Sequence, residues 1–139
     1  MGHADKDTFL AVNIAVLTVS DTRTEADDRS GDVLVERLQG AGHRLAARAI
    51  VKDEIAAIAD RFRQWADDSG IEIIIATGGT GLTGRDVTPE ALAQVADKDI
   101  PGFGELFRML SYEKIKTSTI QSRACAGVVN GTYIFAVPG

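Results

Sequence analysis

One stretch constrains this chain more than any other. Ile71-Glu72-Ile73-Ile74-Ile75-Ala76 runs without a break into Thr77-Gly78-Gly79-Thr80-Gly81-Leu82-Thr83-Gly84-Arg85-Asp86, and Thr88-Pro89-Glu90 follows. A short run dominated by β-branched residues is a strand buried on both faces. The glycines allow a loop in which backbone amides approach a neighbour or a ligand closely. Thr-Pro-Glu reads as a helix start, with Thr at the N-cap, Pro at the first helical position and an acid in the first turn. A strand feeding a helix through such a loop is half of a βαβ unit, whose crossover returns to a parallel neighbour.

The rest of the chain repeats that alternation. Residues 12–19 are an apolar, β-branched run read as a first strand, and 45–51 form a second. Ser30 is a candidate cap for a helix over 30–39, with Leu34 and Leu38 on one face. Ile55, Ile58, Ala59, Phe62, Trp65 and Ala66 recur at helical spacing and predict a continuous apolar stripe. A short helix is predicted over 103–110 and a last strand over 133–137. Phe103, Phe107 and Leu110 read as core. The expected fold is therefore α/β, three-layer, with a mostly parallel sheet and helices on both faces. Nothing marks a linker or repeat within the 139 residues, so one domain covering 1–139 is expected, with a polar N-terminal tail over 1–10.

Composition narrows the function. Hydrophobic residues make up 45% and charged residues 25%, the balance of a globular protein with a real core. The net charge of −5 and the absence of a Lys/Arg cluster argue against a nucleic-acid partner. The single cysteine, Cys125, excludes an intrachain disulfide and a cysteine-based zinc cage; it reads as a small buried residue. No apolar run approaches the roughly 20 residues that span a bilayer, and the start resembles no signal peptide. No membrane association and a cytoplasmic location are the expectations.

Ligands of parallel sheets bind at the carboxyl ends of the strands. That edge would bring together the loops over 20–30 and 78–86. Gly78, Gly79, Thr80 and Gly81 offer amides to a phosphate, and the following helix adds its dipole. Asp86 stands where a carboxylate can hold Mg²⁺ on a nucleotide. Asp53 follows the second strand; alone it is an ordinary helix-start acid, but beside Asp86 it would complete a two-carboxylate site for Mg-ATP. Ser20, Asp21 and Thr22 are either ligand contacts or a Ser/Asx turn. The run from Glu25 to Ser30 reads as a solvated acidic segment. Glu105 and Ser111 are candidate polar contacts, and Arg123 could meet a phosphate in a bidentate way or belong to a capped helix start.

The glycine loop also matches the dinucleotide pattern through Gly79, Gly81 and Gly84, with Asp99 beyond it. In a dinucleotide fold, however, the helix opens within the motif. Here Pro89 delays it to about Thr88. A dinucleotide-binding enzyme is thus the less favoured alternative.

Taken together, Thr18-Val19-Ser20-Asp21, Asp28-Arg29-Ser30-Gly31, Ala76-Thr77-Gly78-Gly79-Thr80-Gly81, Arg85-Asp86-Val87-Thr88-Pro89-Glu90-Ala91, Pro101-Gly102-Phe103-Gly104-Glu105 and Val137-Pro138-Gly139 resemble the MoaB/Mog family of molybdenum cofactor biosynthesis proteins. The resemblance spans about Ile14 to Gly139, and the stretches after Glu105 and Thr117 are closer to the MoaB branch. It implies binding of molybdopterin and transfer of AMP from Mg-ATP onto its terminal phosphate, with release of pyrophosphate. It further implies that Asp53 and Asp86 match the family's functional, metal-holding aspartates, and that Gly78–Gly81 cradle phosphate with Ser20, Asp21 and Thr22 in the same pocket. Glu105 and Ser111 match positions on the pterin side. A homo-oligomer, trimer or hexamer, is expected, and a C-terminal helix of the family is expected to be absent after Gly139. The alternative within the family is a non-catalytic molybdopterin carrier.

Overall fold

The computed structural model describes residues 8–139. Most of the predicted polar tail lies outside them. The elements are β1 (Asn13–Val19), α1 (Arg29–Gly40), β2 (Arg44–Val51), α2 (Ile55–Ala66), β3 (Ile73–Thr77), α3 (Thr88–Val95), β4 (Lys98–Asp99), α4 (Pro101–Ile115), a 3₁₀ segment (Lys116–Gln121), β5 (Cys125–Val129) and β6 (Thr132–Val137). The six strands form one sheet in the order β2-β1-β3-β6-β5-β4. The first four are parallel, and β5 runs antiparallel to both β6 and β4.

Alternate residues of the central strands serve opposite faces, as the two-residue period of a strand requires. Ala15, Leu17 and Val19, with Ile74, Ala76 and Ile134, pack beneath Ile58, Ala59, Phe62 and Trp65 of α2 and Ala91 and Leu92 of α3. Ile14 and Val16, with Ile73 and Ile75, meet Leu34, Val35 and Leu38 of α1. Phe62, Ile58 and Leu17 are fully buried. Both faces are covered, so the three-layer architecture is as expected. Among the described residues, no helix is long and apolar enough to cross a membrane.

Several elements differ from the reading of the sequence. β5 was not foreseen: Cys-Ala-Gly-Val-Val is short and rich in small residues, which carry weak strand propensity. Its hairpin partner β6 is reached through Asn130-Gly131, both at positive φ (48° and 82°), the pair that favours a tight two-residue hairpin turn. Helix α4 runs 15 residues, well beyond 103–110. Leu110 is 59% exposed, and Phe103 and Phe107 are only half-buried, with Phe103 set edge-on against Phe135 at 5.0 Å. These three are not core because α4 lies over the end of the sheet and turns one side outward.

The start of α1 also differs. Asp28, not Ser30, is the cap; its carboxylate accepts the Gly31 amide at 3.0 Å and the Thr18 hydroxyl at 2.8 Å. Arg48 of β2 adds an ion pair at 3.1 Å. The acidic run is solvated except at Asp28, which is 1% exposed. A buried carboxylate must be fully partnered, and these donors satisfy it. Burial pushes the Asp28 carboxyl up, but the Thr18 and Gly31 hydrogen bonds and the Arg48 guanidinium outweigh it, holding the net value below 3.8.

A depressed carboxylate contributes stability above its unfolded pKa and loses it as pH falls through the folded value. Asp28→Asn is therefore expected to cost about 2 kcal/mol at pH 7, the worth of charged hydrogen bonds. The gap from wild type should close as pH drops below 3.8. Urea melts along a pH series check this, and a gap that stays constant in acid refutes it.

Candidate active site

β1 lies between β2 and β3, and all three run parallel. Their carboxyl ends consequently sit side by side, and each is followed by a loop carrying an aspartate: Asp21, Asp53 and Asp86. From β1 the chain crosses outward to β2, whereas from β3 it continues toward the opposite edge. The boundary between β1 and β3 is the kind of switch point at which α/β sheets bind ligands.

The glycine loop is built by close approach. Gly78 and Gly79 hold φ of 104° and 73°, which side-chain-bearing residues rarely adopt. A Cβ on Gly78 would stand 2.4 Å from the Val19 carbonyl, and one on Gly79 would stand 2.3 Å from Thr88 Oγ1. Thr88 is not the N-cap; Val87 is. Thr88 is fully buried, and its hydroxyl donates to the Gly78 carbonyl at 2.8 Å while its amide donates to the Gly79 carbonyl at 3.0 Å. With those carbonyls turned to Thr88, the amides of Gly79, Thr80 and Leu82 hydrogen-bond to no other described residue. Free amides on a glycine turn next to a helix start form an anion-binding concavity.

Three loops meet at Asp21. Its carboxylate accepts the Asp53 amide at 3.0 Å and Nε and Nη2 of Arg85, each at 3.0 Å. The Asp53 amide and then Arg85 hold the Asp21 carboxyl low. Asp53 behaves oppositely. Burial, then the charges of Asp21 and Asp86, push its carboxyl up, with Arg85 opposing. Asp86 is held low by the hydroxyl and amide of Thr83, both donating to Oδ2, at 2.8 and 2.9 Å. The Asp53 carboxylate lies against Gly79 and that of Asp86 against Gly81.

Asp53 and Asp86 thus flank the loop. An under-neutralised carboxylate beside two others suits a bound divalent cation. Among the described residues no three His, Cys, Asp or Glu side chains are spaced to share an ion. A cation here would have to complete its shell with water and phosphate oxygens, as Mg²⁺ commonly does.

The remaining candidates separate. Ser20 Oγ accepts the amides of Thr22 and Arg23 at 3.2 and 3.1 Å, so Ser20 and Thr22 form a Ser turn at the edge of the site. Glu105 lines a cleft of about 360 Å³ together with Pro89, Asp99, Gly104 and Arg108. Ser111 does not line it; six residues along a helix place it about 120° around and about 9 Å on from Glu105. A second cleft of about 260 Å³ opens between α1 and the ends of β3 and β6, lined by Ser30, Leu34, Thr77, Pro138 and Gly139. Arg123 is not free for a phosphate, because it is engaged with Glu90 and loop carbonyls. Arg85 and Thr83 were not singled out from the sequence, and Thr88 only as a helix cap. The one available signal was an arginine next to the metal-type aspartate inside a glycine loop.

The glycines do not play dinucleotide roles. In that fold the third glycine packs tightly on the strand, yet a Cβ on Gly84 would meet open space and α3 begins only at Thr88.

A family model described as "Probable molybdopterin binding domain" matches residues 15–139. The chain is 50% identical over 131 residues to molybdenum cofactor biosynthesis protein B of Escherichia coli strain K12, covering 94% of this chain and 77% of that protein. The chain belongs to the MoaB/Mog family, in its MoaB branch. Among solved structures, a molybdenum cofactor biosynthesis protein B superposes with a TM-score of 0.90 at 42% identity, covering 94% of this chain and 81% of the other. The tungsten cofactor synthesizing protein MoaB from Pyrococcus furiosus gives a TM-score of 0.83 at 33% identity, covering 95% and 84%. This MoaB-type sheet is mixed, and its parallel half carries the site.

Two predictions test the site. A methyl group on Gly81 would stand 2.7 Å from Asp86 Oδ2, so Gly81→Ala should disturb the Asp86 carboxyl signal in NMR, while Gly84→Ala should leave it unmoved. Equal effects would refute the assignment. Asp53, with its raised carboxyl, is a stress on the folded state at neutral pH that disappears below 3.8. Asp53→Asn should therefore raise the Tm at pH 7 and have no such effect near pH 3; a lower Tm at pH 7 would overturn the electrostatic reading.

Proposed function

We propose that this domain binds molybdopterin and transfers AMP from Mg-ATP to its terminal phosphate. The reading is carried by one observation: the unpartnered amides of Gly79 and Thr80 lie in a turn flanked by two carboxylates, one of them electrostatically strained. The family's link to molybdenum cofactor biosynthesis supplies the substrate class.

In the transfer, a terminal phosphate oxygen of molybdopterin bonds to the α-phosphorus of ATP. The bond from that phosphorus to the bridging oxygen of the β-phosphate breaks, and its electron pair leaves with pyrophosphate. Such chemistry needs alignment and charge neutralisation more than a strong base. The amides of Gly79 and Thr80 would take the developing negative charge. Asp86 and Asp53 would hold Mg²⁺, which neutralises polyphosphate charge when bound. Arg85, kept in place by Asp21, adds a positive charge at the same edge. The cleft that contains Glu105 borders Pro89, directly after the loop, and would accept the pterin.

A homo-oligomer, trimer or hexamer, is part of this reading. Leu106, Met109, Leu110, Tyr112 and Ile115 of α4 are 48–63% exposed and form an apolar surface of the kind that other copies cover.

A single-turnover assay with molybdopterin and Mg-ATP tests the proposal. Wild type should yield adenylylated pterin and pyrophosphate. Asp86→Ala should lower the rate by on the order of 10²- to 10³-fold, with pterin affinity retained. Tight pterin binding without product from wild type would instead indicate a carrier.

A further inference from the structure

Arg123 comes from the segment after the 3₁₀ turn, 37 residues beyond Asp86, yet it engages both ends of the 81–86 excursion. Its Nε donates to the Gly81 carbonyl at 2.8 Å, and Nη2 donates to the Asp86 carbonyl at 2.6 Å. Nη1 pairs with Glu90 on α3, which fixes the orientation of the fork. The Arg123 amide itself donates to the Thr80 carbonyl at 2.8 Å. Three of the loop's carbonyls thus point to one residue.

That arrangement has a consequence for the opposite side of each peptide. The bonds are trans, so a carbonyl and the following amide point in opposite directions. Drawing the carbonyls of Thr80, Gly81 and Asp86 toward Arg123 turns the amides of Gly81, Leu82 and Val87 away from it. The same clamp sets where Asp86 leaves the backbone. A planar guanidinium with several fixed donors can bridge two carbonyls and a carboxylate at once; a lysine ammonium is a point donor on a flexible stem.

We infer that Arg123 is a positioning residue that holds the glycine loop and Asp86 in their working geometry. Its effect on turnover rests on the adenylyl-transfer reading above, whereas its effect on the loop does not.

The experiment compares wild type, Arg123→Lys and Arg123→Ala in two measurements: amide hydrogen exchange over residues 78–87, and kcat and KM in the molybdopterin assay. Thermal melts confirm that each variant is folded, and Arg123→Lys keeps the test open if the alanine variant is not. The expected result is faster exchange in the loop in Arg123→Lys. kcat should fall by on the order of 10²-fold, the scale of a small misplacement of reacting groups, with KM for molybdopterin unchanged. Added guanidinium ion should partly restore kcat and slow loop exchange in Arg123→Ala. Loop exchange identical to wild type in the folded variants would overturn the inference. If wild type shows no turnover, the adenylyl-transfer reading fails, and loop exchange still decides the role of Arg123.

Discussion

The carboxylate of Asp21 ties the site together. It accepts the amide of Asp53, from the end of β2, and the fork of Arg85, from the loop after β3, while itself following β1. Three strand ends are thereby bound to one side chain. This junction is possible only because β1 is paired on both sides by parallel neighbours, in unbroken register from Ala15 onward. The buried face beneath it, with Leu17, Phe62 and Ile58 fully enclosed, keeps that register from slipping, since a one-residue shift would exchange the side chains packed under α2 and α3 with those facing α1.

The electrostatics at this junction are asymmetric. Asp21 and Asp86 are well supplied with donors, so each remains an anion at neutral pH with little strain. Asp53 gives its amide to Asp21 but gains no comparable support for its own carboxylate, and burial adds to the stress. A folded protein commonly tolerates such stress where a charged ligand will relieve it. Elsewhere the chain partners its buried charge fully, as Asp28 does with Thr18, Gly31 and Arg48. The contrast between Asp28 and Asp53, two carboxylates with opposite net shifts, lies in the donors each is given.

The loop between the strands depends on two clamps of different origin. Thr88 secures its first half from within the same strand–loop–helix unit. Arg123 secures its second half from a segment reached only after α4 and the 3₁₀ turn. β5, antiparallel to β6, begins at the edge where β6 ends, and this holds Arg123, two residues before it, beside the loop. The mixed half of the sheet is therefore no appendage to the parallel half; it delivers a residue to the edge where the ligand would sit.

Much of this was determined by the sequence alone. The isoleucine run, the glycine turn and Thr-Pro-Glu specify strand, loop and helix through local physics: β-branching, freedom at positive φ, and a fixed proline dihedral. The stripe of α2 and the apolar runs of β1 and β2 follow from periodicity. Asp53 and Asp86 were legible as candidates because both follow strands at the edge where parallel sheets bind ligands, and because they match the family's aspartates. The tertiary structure alone decided the partnerships. Nothing in Ser20-Asp21-Thr22 says that Asp21 binds Arg85 while Ser20 merely closes a turn, and nothing near Arg123 says that it serves a loop 37 residues earlier. Asp28 reads as one solvated acid among several until Thr18 and Arg48 enclose it. A hydrogen bond between distant residues depends on which strands become neighbours, and that is settled by packing of the whole chain, not by any local pattern of residues.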